Sequence, residues 1–450
     1  MDKKTFLKTS TLLAGGAVLS RFIGCKPADS STHLKNWAGN LTYSTGNVHY
    51  PTTIAQVQEV VKKCNKLTAL GSRHSFNTIA DNTKNQVSLK ELNKVVLLDK
   101  TNNTVTVEGG TRYGELAPWL HKSGYALHNL ASLPHITIAG ACATATHGSG
   151  VKNGNLSTGV SAIEFVNAAG DLVNLSKKDG DKFTGAVVGL GALGIVTKVT
   201  LDLQPTFDMQ QVVYRNLPMS ALQKNFTEIV SAGYSVSLFT DWKNKNINEV
   251  WIKSRVENGT STRLPTELFG AKAATQNMHP VEGQSAENCT EQMGVPGPWY
   301  ERMPHFKMGF KPSAGVELQG EYFVPIEHAY DAIMAIEKLH EKISPHLFIS
   351  EIRTINADDL WMSPCYKQPS VAIHTTWKQE TDTVMNLIPL IEEQLAPFNA
   401  KPHWAKLFTM SPSLLQSRYE RLADFKQLVK QYDPESKFRN DFLSTNLFGS

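Results

Sequence analysis

The sequence predicts an α+β fold in two domains, on three observations. Its 450 residues exceed the roughly 100–200 that one core usually serves, so two domains are expected. Up to about Pro205, short runs of alternating hydrophobicity are interleaved with helical spacings, the pattern of a mixed sheet-and-helix domain. Beyond Pro205 the composition turns to Gln, Asn and aromatic residues, with a Pro/Gly-rich stretch over 259–314 that reads as a long loop region. Hydrophobic residues make up 41%, aromatic 9% and charged 19%, which fits a chain that buries a core rather than a disordered polymer. The net charge is +4, from 45 basic against 41 acidic residues spread along the chain, and no basic block supports nucleic-acid binding.

Taken in order, the chain opens with "MDKKTFLKTSTLLAGGAVLSRFIGC". Lysines precede an apolar run from Thr11 to Ser20 that is shorter than the ~20 residues of a membrane span, which reads as an export signal over residues 1–34 with its linker. "FIGC", ending at Cys25, resembles a bacterial lipobox, although Arg21 departs from that pattern; "KKTFLK" resembles a twin-arginine consensus with lysine in place of both arginines. The expectation is an exported protein, periplasmic or anchored in a membrane by lipid on Cys25. The five cysteines are widely spaced without a CxxC, so neither a zinc site nor a disulfide framework is indicated and no metal is expected. Ile54, Val57, Val60 and Val61 then fall at helical spacing after Pro51 and Thr52, and "KLTAL" follows as a short strand. "VVLLDKTNNTVTVEGG" reads as two strands around an Asn-Asn turn, "RYGELAPWLHKSG" as a helix closed by Gly124, and "AIEFVNAAGDLVNL" as a hairpin turning at Ala169-Gly170. Near the end, "LLQSRYERLADFKQLVKQYDP" reads as one periodic helix stopped by Pro434.

Three glycine-rich stretches stand apart. "GLGALG" (189–194) matches the spacing of a dinucleotide fingerprint, but a β-pattern follows where that fingerprint needs a helix, so the glycines read as a tight turn into a strand. In "ASLPHITIAGACATATHGSGVKNG" (131–154) the backbone is almost bare from Ala139 to Gly150, which lets main-chain N–H groups approach a polyanion. "LTALGSRHSFN" (67–77) makes the same provision separately and adds a histidine, and two such loops suit one pyrophosphate.

Together, "LGSRHS", "GGTRYGEL", "LPHITIAGACATATHGSG", "VVGLGALGIVTKVTL" and "DPESKFRNDF" resemble the FAD-dependent oxidoreductases of the vanillyl-alcohol oxidase type, most nearly the alditol (xylitol) oxidases and sugar-1,4-lactone oxidases. The resemblance runs from about Asn36 to Phe448 and leaves only the leader without a counterpart. It implies a PCMH-type FAD-binding domain over 35–205, an α+β substrate (cap) domain over 206–407, and a terminal segment, 408–450, returning to the first. It also implies that His74 is bonded to the flavin, and that FAD is contacted by Gly71, Ser72, Arg73, Ser75 and Phe76. Ser132, Thr137, Gly140, Thr144, Ala145, Thr146, His147 and Ile195 complete the implied cofactor set, many acting through backbone amides.

Downstream, "FISEIRTI" alternates so that Glu351 and Arg353 share one face of a strand; "VAIHTTW" does the same with His374 and Thr376, and "HWAKLF" offers Trp404 and Lys406 as a third strand. Three such strands suit an enclosed polar cavity, the wall a polyol needs because each buried hydroxyl must be paired. The resemblance assigns Ser132, Glu351, Arg353, Thr376 and Lys406 to substrate. It implies hydride transfer from a primary alcohol to FAD, with oxygen reduced to hydrogen peroxide. Arg353 and Lys406 are expected to stabilise developing charge, Glu351 and Ser132 to orient hydroxyls, and either Lys406 or His374 to take the proton. The alternatives are an aldonolactone oxidase, a polyol dehydrogenase using a non-oxygen acceptor, and a non-catalytic sugar-binding lipoprotein.

Overall fold

The computed structural model describes residues 33–256, 265–309 and 316–449. The export signal and Cys25 lie outside them. Among the described residues no helix is long and apolar enough to cross a membrane.

The helix Ile54–Lys63 forms where expected: the Thr53 side chain accepts from the Gln56 N–H, Val57 and Val61 face inward, and Lys62 and Lys63 sit in the last turn, where the helix dipole favours them. It flanks a small parallel sheet of β1 (Val48–His49), β2 (Thr68–Ala69) and β3 (Gln86–Val87), in the order β1-β3-β2. β4 (Val95–Asp99) and β5 (Thr104–Glu108) pair antiparallel, and the helix Tyr113–Lys122 ends before Gly124 at φ +88°. β6 (Tyr125–Ala126) follows, and then β7 (Val160–Val166) and β8 (Leu172–Ser176) form the expected hairpin. β9 (Ile195–Asp202) completes a five-stranded sheet ordered β4-β5-β9-β7-β8, and its strict inward–outward alternation is the β-pattern that excluded a Rossmann helix. Leu190, Gly191 and Gly194, all at positive φ, make the tight turn before it. A Cβ on Gly194 would lie 2.3 Å from the Val166 carbonyl, so only glycine fits that approach.

β10 (Gln204–Pro205) pairs with β6. The remaining strands make one ten-stranded antiparallel sheet: β11 (Asp208–Pro218), β12 (Ser235–Thr240), β13 (Asn246–Val256), β14 (Glu267–Leu268), β15 (Ala271–Ala273), β16 (Gly297–Pro298), β17 (Glu317–Pro325), β18 (Leu347–Ile355), β19 (Ser370–Lys378) and β20 (Lys401–Pro402). Their order is β14-β15-β11-β13-β12-β18-β19-β17-β20, with β16 beside β11. One face, carrying Leu238, Val250, Leu318, Ile352, Ile373 and Trp377, packs against the helices Met219–Val230, Ala329–Glu337 and Thr381–Leu395 in a single apolar core. Alternation therefore turns Glu321, Glu351, Arg353 and His374 to the opposite face.

Four expectations change. The bare stretch after Thr137 is not loop throughout: Ile138–Ala143 is a short helix, because alanine-rich sequence has high helix propensity, and the turn begins at Thr144. The long terminal helix is two, Pro412–Ser417 and Leu422–Tyr432, broken where the side chain of Tyr419 turns inward against Trp404. The 259–314 stretch holds β14 to β16 and the helix Trp299–Arg302 within its described part. "HWAKLF" is a turn and not a strand; Trp404 is fully buried, donating to the Met362 carbonyl instead of facing the cavity. The chain end packs on the first half: Lys437 Nζ donates to the carbonyls of Val61 and Ala168, and Asn440 to those of Ile79 and Asp81.

Candidate active site

A cavity of about 880 Å3 runs between the five-stranded sheet and the cavity face of the ten-stranded one. Its first wall is built from small residues and backbone. Gly71 and Gly140 both back onto Thr137, whose Oγ1 lies 2.8 and 2.9 Å from where their Cβ atoms would stand, and the Thr137 N–H donates to Ser72 Oγ at 3.2 Å. The glycines thus let the 71–76 loop close onto the start of the helix Ile138–Ala143. His74 lies in that loop, stacked on Trp37 with ring centroids 5.2 Å apart. Its Nδ1 is 3.1 Å from the Ser72 carbonyl, while its Nε2 is buried with no partner among the described residues. Burial pushes its pKa down to about 3, so the ring is neutral at any physiological pH.

The second wall is charged. Cross-strand register sets Phe239, Glu351, His374 and Glu321 side by side on β12, β18, β19 and β17. Arg353, two residues from Glu351 on the same face, donates to Glu321 Oε1 at 2.7 Å and to Ser132 Oγ at 3.3 Å, with its Nε 3.5 Å from Glu351 Oε1. Glu321, its side chain 2% exposed, is also approached by His147 Nε2 at 3.1 Å and by His374 Nδ1 at 3.4 Å. Burial alone would raise both carboxyl pKa values, but His147 and Arg353 around Glu321, and Arg353 and His305 around Glu351, outweigh it and keep both ionised. Lys406 donates to Gln319 Oε1 and sits 4.8 Å from the Phe76 ring centre; burial pushes its pKa down to about 8. His374 is lowered too, by burial first, and its Nε2 meets Thr376 Oγ1 at 3.2 Å.

The two walls are laced together. Phe76 N–H donates to the Ala405 carbonyl at 2.8 Å, and Asn77 Nδ2 to those of Trp404 and Lys406 at 2.8 and 2.7 Å, so the loop of His74 and the turn of Lys406 are held as one.

Of the residues expected at the site, all but Trp404 and Ala145 border this cavity. Ala145 is 1% exposed at φ +53° and turns the chain between Thr144 and Thr146. Sequence reasoning missed Trp37, Gln319, Glu321, His305 and His403. Glu317, Gln319 and Glu321 alternate in "ELQGEYF" as visibly as the residues of "FISEIRTI", so that signal was available. His147, Glu321 and His403 hold donor atoms within 4.8 Å of one another. Arg353 already occupies the Glu321 oxygen that His147 faces, and its positive charge opposes a cation there.

A cavity with a backbone-lined wall, a buried histidine nitrogen left over and a charged polar end fits a flavin lying between the sheets, and the protein is an FAD-dependent oxidoreductase. An FAD binding domain model matches residues 46–176, and a D-arabinono-1,4-lactone oxidase model matches 316–446. The chain is 45% identical over 422 residues to an alditol oxidase of a Streptomyces species, covering 93% of this chain and all of that one. It is 26% identical over 438 residues to an L-gulono-1,4-lactone dehydrogenase of Mycobacterium tuberculosis, covering 90% and 97% of the two chains. A crystal structure of cholesterol oxidase from B. sterolicum shares the fold, with TM-score 0.74 and 16% identity over 97% of this chain and 100% of that one. The chain belongs to the vanillyl-alcohol oxidase type of FAD-dependent oxidoreductases, in the branch of the alditol and aldonolactone oxidases.

Proposed function

We propose that the protein oxidises a primary alcohol of an alditol such as xylitol or sorbitol to the aldose, with reduction of oxygen to hydrogen peroxide. The observation that carries this reading is the row of ionised and hydrogen-bonding side chains, Glu351, His374 and Glu321 with Arg353 and Lys406, at one end of a cofactor-sized cavity. Bound FAD supplies the acceptor for a hydride from the substrate carbon. Glu351 and Ser132 orient hydroxyls, Arg353 offers positive charge fixed beforehand by Glu321, and Lys406 takes the hydroxyl proton on Nζ. A lysine pushed down to about 8 has a neutral fraction near neutral pH, which an ordinary lysine lacks. His374 faces Glu321 through Nδ1 and Thr376 through Nε2, so it is the more committed group and serves to hold the row.

His74 would hold the flavin covalently: its Nε2 is buried without a partner at the cavity wall, and its neutral ring keeps the lone pair for a carbon–nitrogen bond that replaces a methyl C–H bond, the two protons going to solvent and the two electrons through the flavin to oxygen. Acid precipitation of the protein without its leader should leave yellow, fluorescent flavin in the pellet, and His74→Ala should release it to the supernatant. Colourless wild-type pellets overturn the linkage. The match to a lactone oxidase model favours a second reading, oxidation of an aldonolactone at the same row. Steady-state rates on polyols against 1,4-lactones, each with oxygen and with an artificial dye, decide between them. If lactones alone are turned over, or only the dye accepts electrons, the alditol oxidase reading falls.

A division into two domains at about residue 205, with the terminal segment rejoining the cofactor side, is part of this proposal, and the separate five- and ten-stranded sheets support it. Export with lipid on Cys25 rests on the leader sequence; a labelled fatty acid incorporated by the wild type and lost in Cys25→Ser is the expected result.

A further inference from the structure

We infer that His305 is a positioning residue for Glu351 and that Lys253 builds the turn that presents it, an inference that rests on Glu351 binding substrate. His305 belongs to none of the strands of the charged wall. It follows the helix Trp299–Arg302 and enters from the side, placing Nε2 2.7 Å from Glu351 Oε1. Its backbone N–H reaches the Ser132 carbonyl at 3.2 Å, so one residue touches two of the substrate-site positions. Phe239 and Trp251 box the ring edge-on, with centroids 5.5 and 5.2 Å away, and fix its plane.

The turn before it is held by an unusual device. Lys253, 1% exposed, donates from Nζ to three successive carbonyls, those of Arg302, Met303 and Pro304, at 2.9, 2.6 and 2.9 Å. Burial pushes its pKa down to about 7, but three carbonyl acceptors around Nζ favour the ammonium form, whose three N–H groups are all used on one irregular turn. Thr290 adds Oγ1 to the Pro304 carbonyl at 2.7 Å and its N–H to the His305 carbonyl at 2.9 Å. A buried amine is costly, and an apolar residue would fill the space more cheaply if packing were all that mattered. The arrangement makes sense as a clamp on the segment that delivers His305.

What it delivers is a neutral donor. Burial first and then the Lys253 charge push His305 down to about 4, so its ring carries one proton, and a carboxylate at Nε2 draws that proton there. Glu351 is oriented without losing its charge. Its contacts with His305 and with Arg353 Nε both fall on Oε1, which reserves Oε2 for a substrate hydroxyl. Such help acts on the bound ground state and therefore on KM.

The test is a cycle of His305→Phe, Glu351→Gln and the pair, assayed on xylitol with the covalently loaded enzyme. His305→Phe keeps a ring in the box and removes the donor. It should raise KM about tenfold with kcat within about threefold of wild type, while acid-stable flavin content and melting midpoint stay unchanged. On the Glu351→Gln background the same change should add nothing, a coupling that a merely structural role would not produce. His305→Gln, which restores an N–H donor, should recover most of the affinity; if the phenylalanine variant fails to fold, His305→Leu, which also lacks a donor, carries the same cycle. An unchanged KM in the donor-free variant beside an impaired Glu351→Gln overturns the inference alone, as does an undiminished effect in the pair. A Glu351→Gln enzyme indistinguishable from wild type overturns the reading of Glu351 and the inference with it.

Discussion

The two walls of the cavity are built on opposite principles. On the cofactor side, Gly71, Ser72, Gly140 and Thr144 present main chain, and the side chains are small so that main chain can come close. On the substrate side the main chain is consumed by the β17-β19-β18 ladder, and Glu321, Glu351, Arg353 and His374 act through side chains placed by cross-strand register. The difference teaches where mutation should hurt. A backbone-read wall is sensitive to added bulk and tolerant of deleted atoms; a side-chain wall is the reverse. A large cofactor offers many points of attachment, so no single contact dominates, whereas a polyol held by few groups depends on each.

The largest effect expected is on the substrate wall. Lys406→Met should cut kcat by about a thousandfold while leaving flavin in the acid pellet, because the lacing of Phe76 and Asn77 to residues 404–406 uses only the carbonyls of that turn. Burial pushes Lys406 down to about 8, so a base at this position acts as the deprotonated amine. Therefore kcat/KM should rise with pH and level off above an inflection near 8. A flat profile in the wild type, or an inflection that survives in Lys406→Met, removes Lys406 as base.

Next in size is a cofactor-wall change that adds atoms. Gly71→Val drives branched carbon into Thr137 Oγ1, already 2.8 Å from the position of a Cβ, and opens the loop from the helix start. Flavin bound per chain, read from absorbance, should fall severalfold, and turnover per bound flavin should stay near wild type. Loss of turnover per flavin at full loading would mean that the two walls are not separable.

How much of this was legible in the sequence follows the same contrast. Alternation in β18 and β19 placed Glu351, Arg353, His374 and Thr376 correctly, because a two-residue period is set by the strand itself. Lys406 was placed at the site for the wrong local reason: its turn is positioned by His403 and Asn77, contacts that no period encodes. Glu321 went unread although β17 alternates as clearly, since nothing local says which strand lies next to which. His305 was beyond reach, because its position depends on Lys253 from a distant strand. The glycine loops were expected to bind a ligand and do line the cavity, yet Ile138–Ala143 was read as bare loop when the same small residues also make a helix. Ala145 sits in the expected loop at φ +53°, set back from the cavity lining that its neighbours Thr144 and Thr146 form.

The smallest effect expected separates the principles most cleanly, because it removes one hydroxyl from each wall. Thr144 Oγ1 bonds to the Gly140 carbonyl at 3.2 Å and lies 3.3 Å from Thr146 Oγ1, so it closes a helix end already held by the Thr144 and Thr146 N–H groups donating to Ala141. Thr376 Oγ1 meets His374 Nε2 at 3.2 Å, a side chain that itself faces Glu321. Both threonines are partly buried, and each loses the hydrogen bonding of its hydroxyl on substitution. Thr144→Ala should change flavin content and kcat/KM by less than about twofold, since the backbone donors remain. Thr376→Val conserves volume and still leaves His374 Nε2 without its partner, and should lower kcat/KM about tenfold with flavin content untouched. If the two variants behave alike, a hydroxyl has the same value on either wall, and the contrast between a wall read by main chain and one read by side chains is lost.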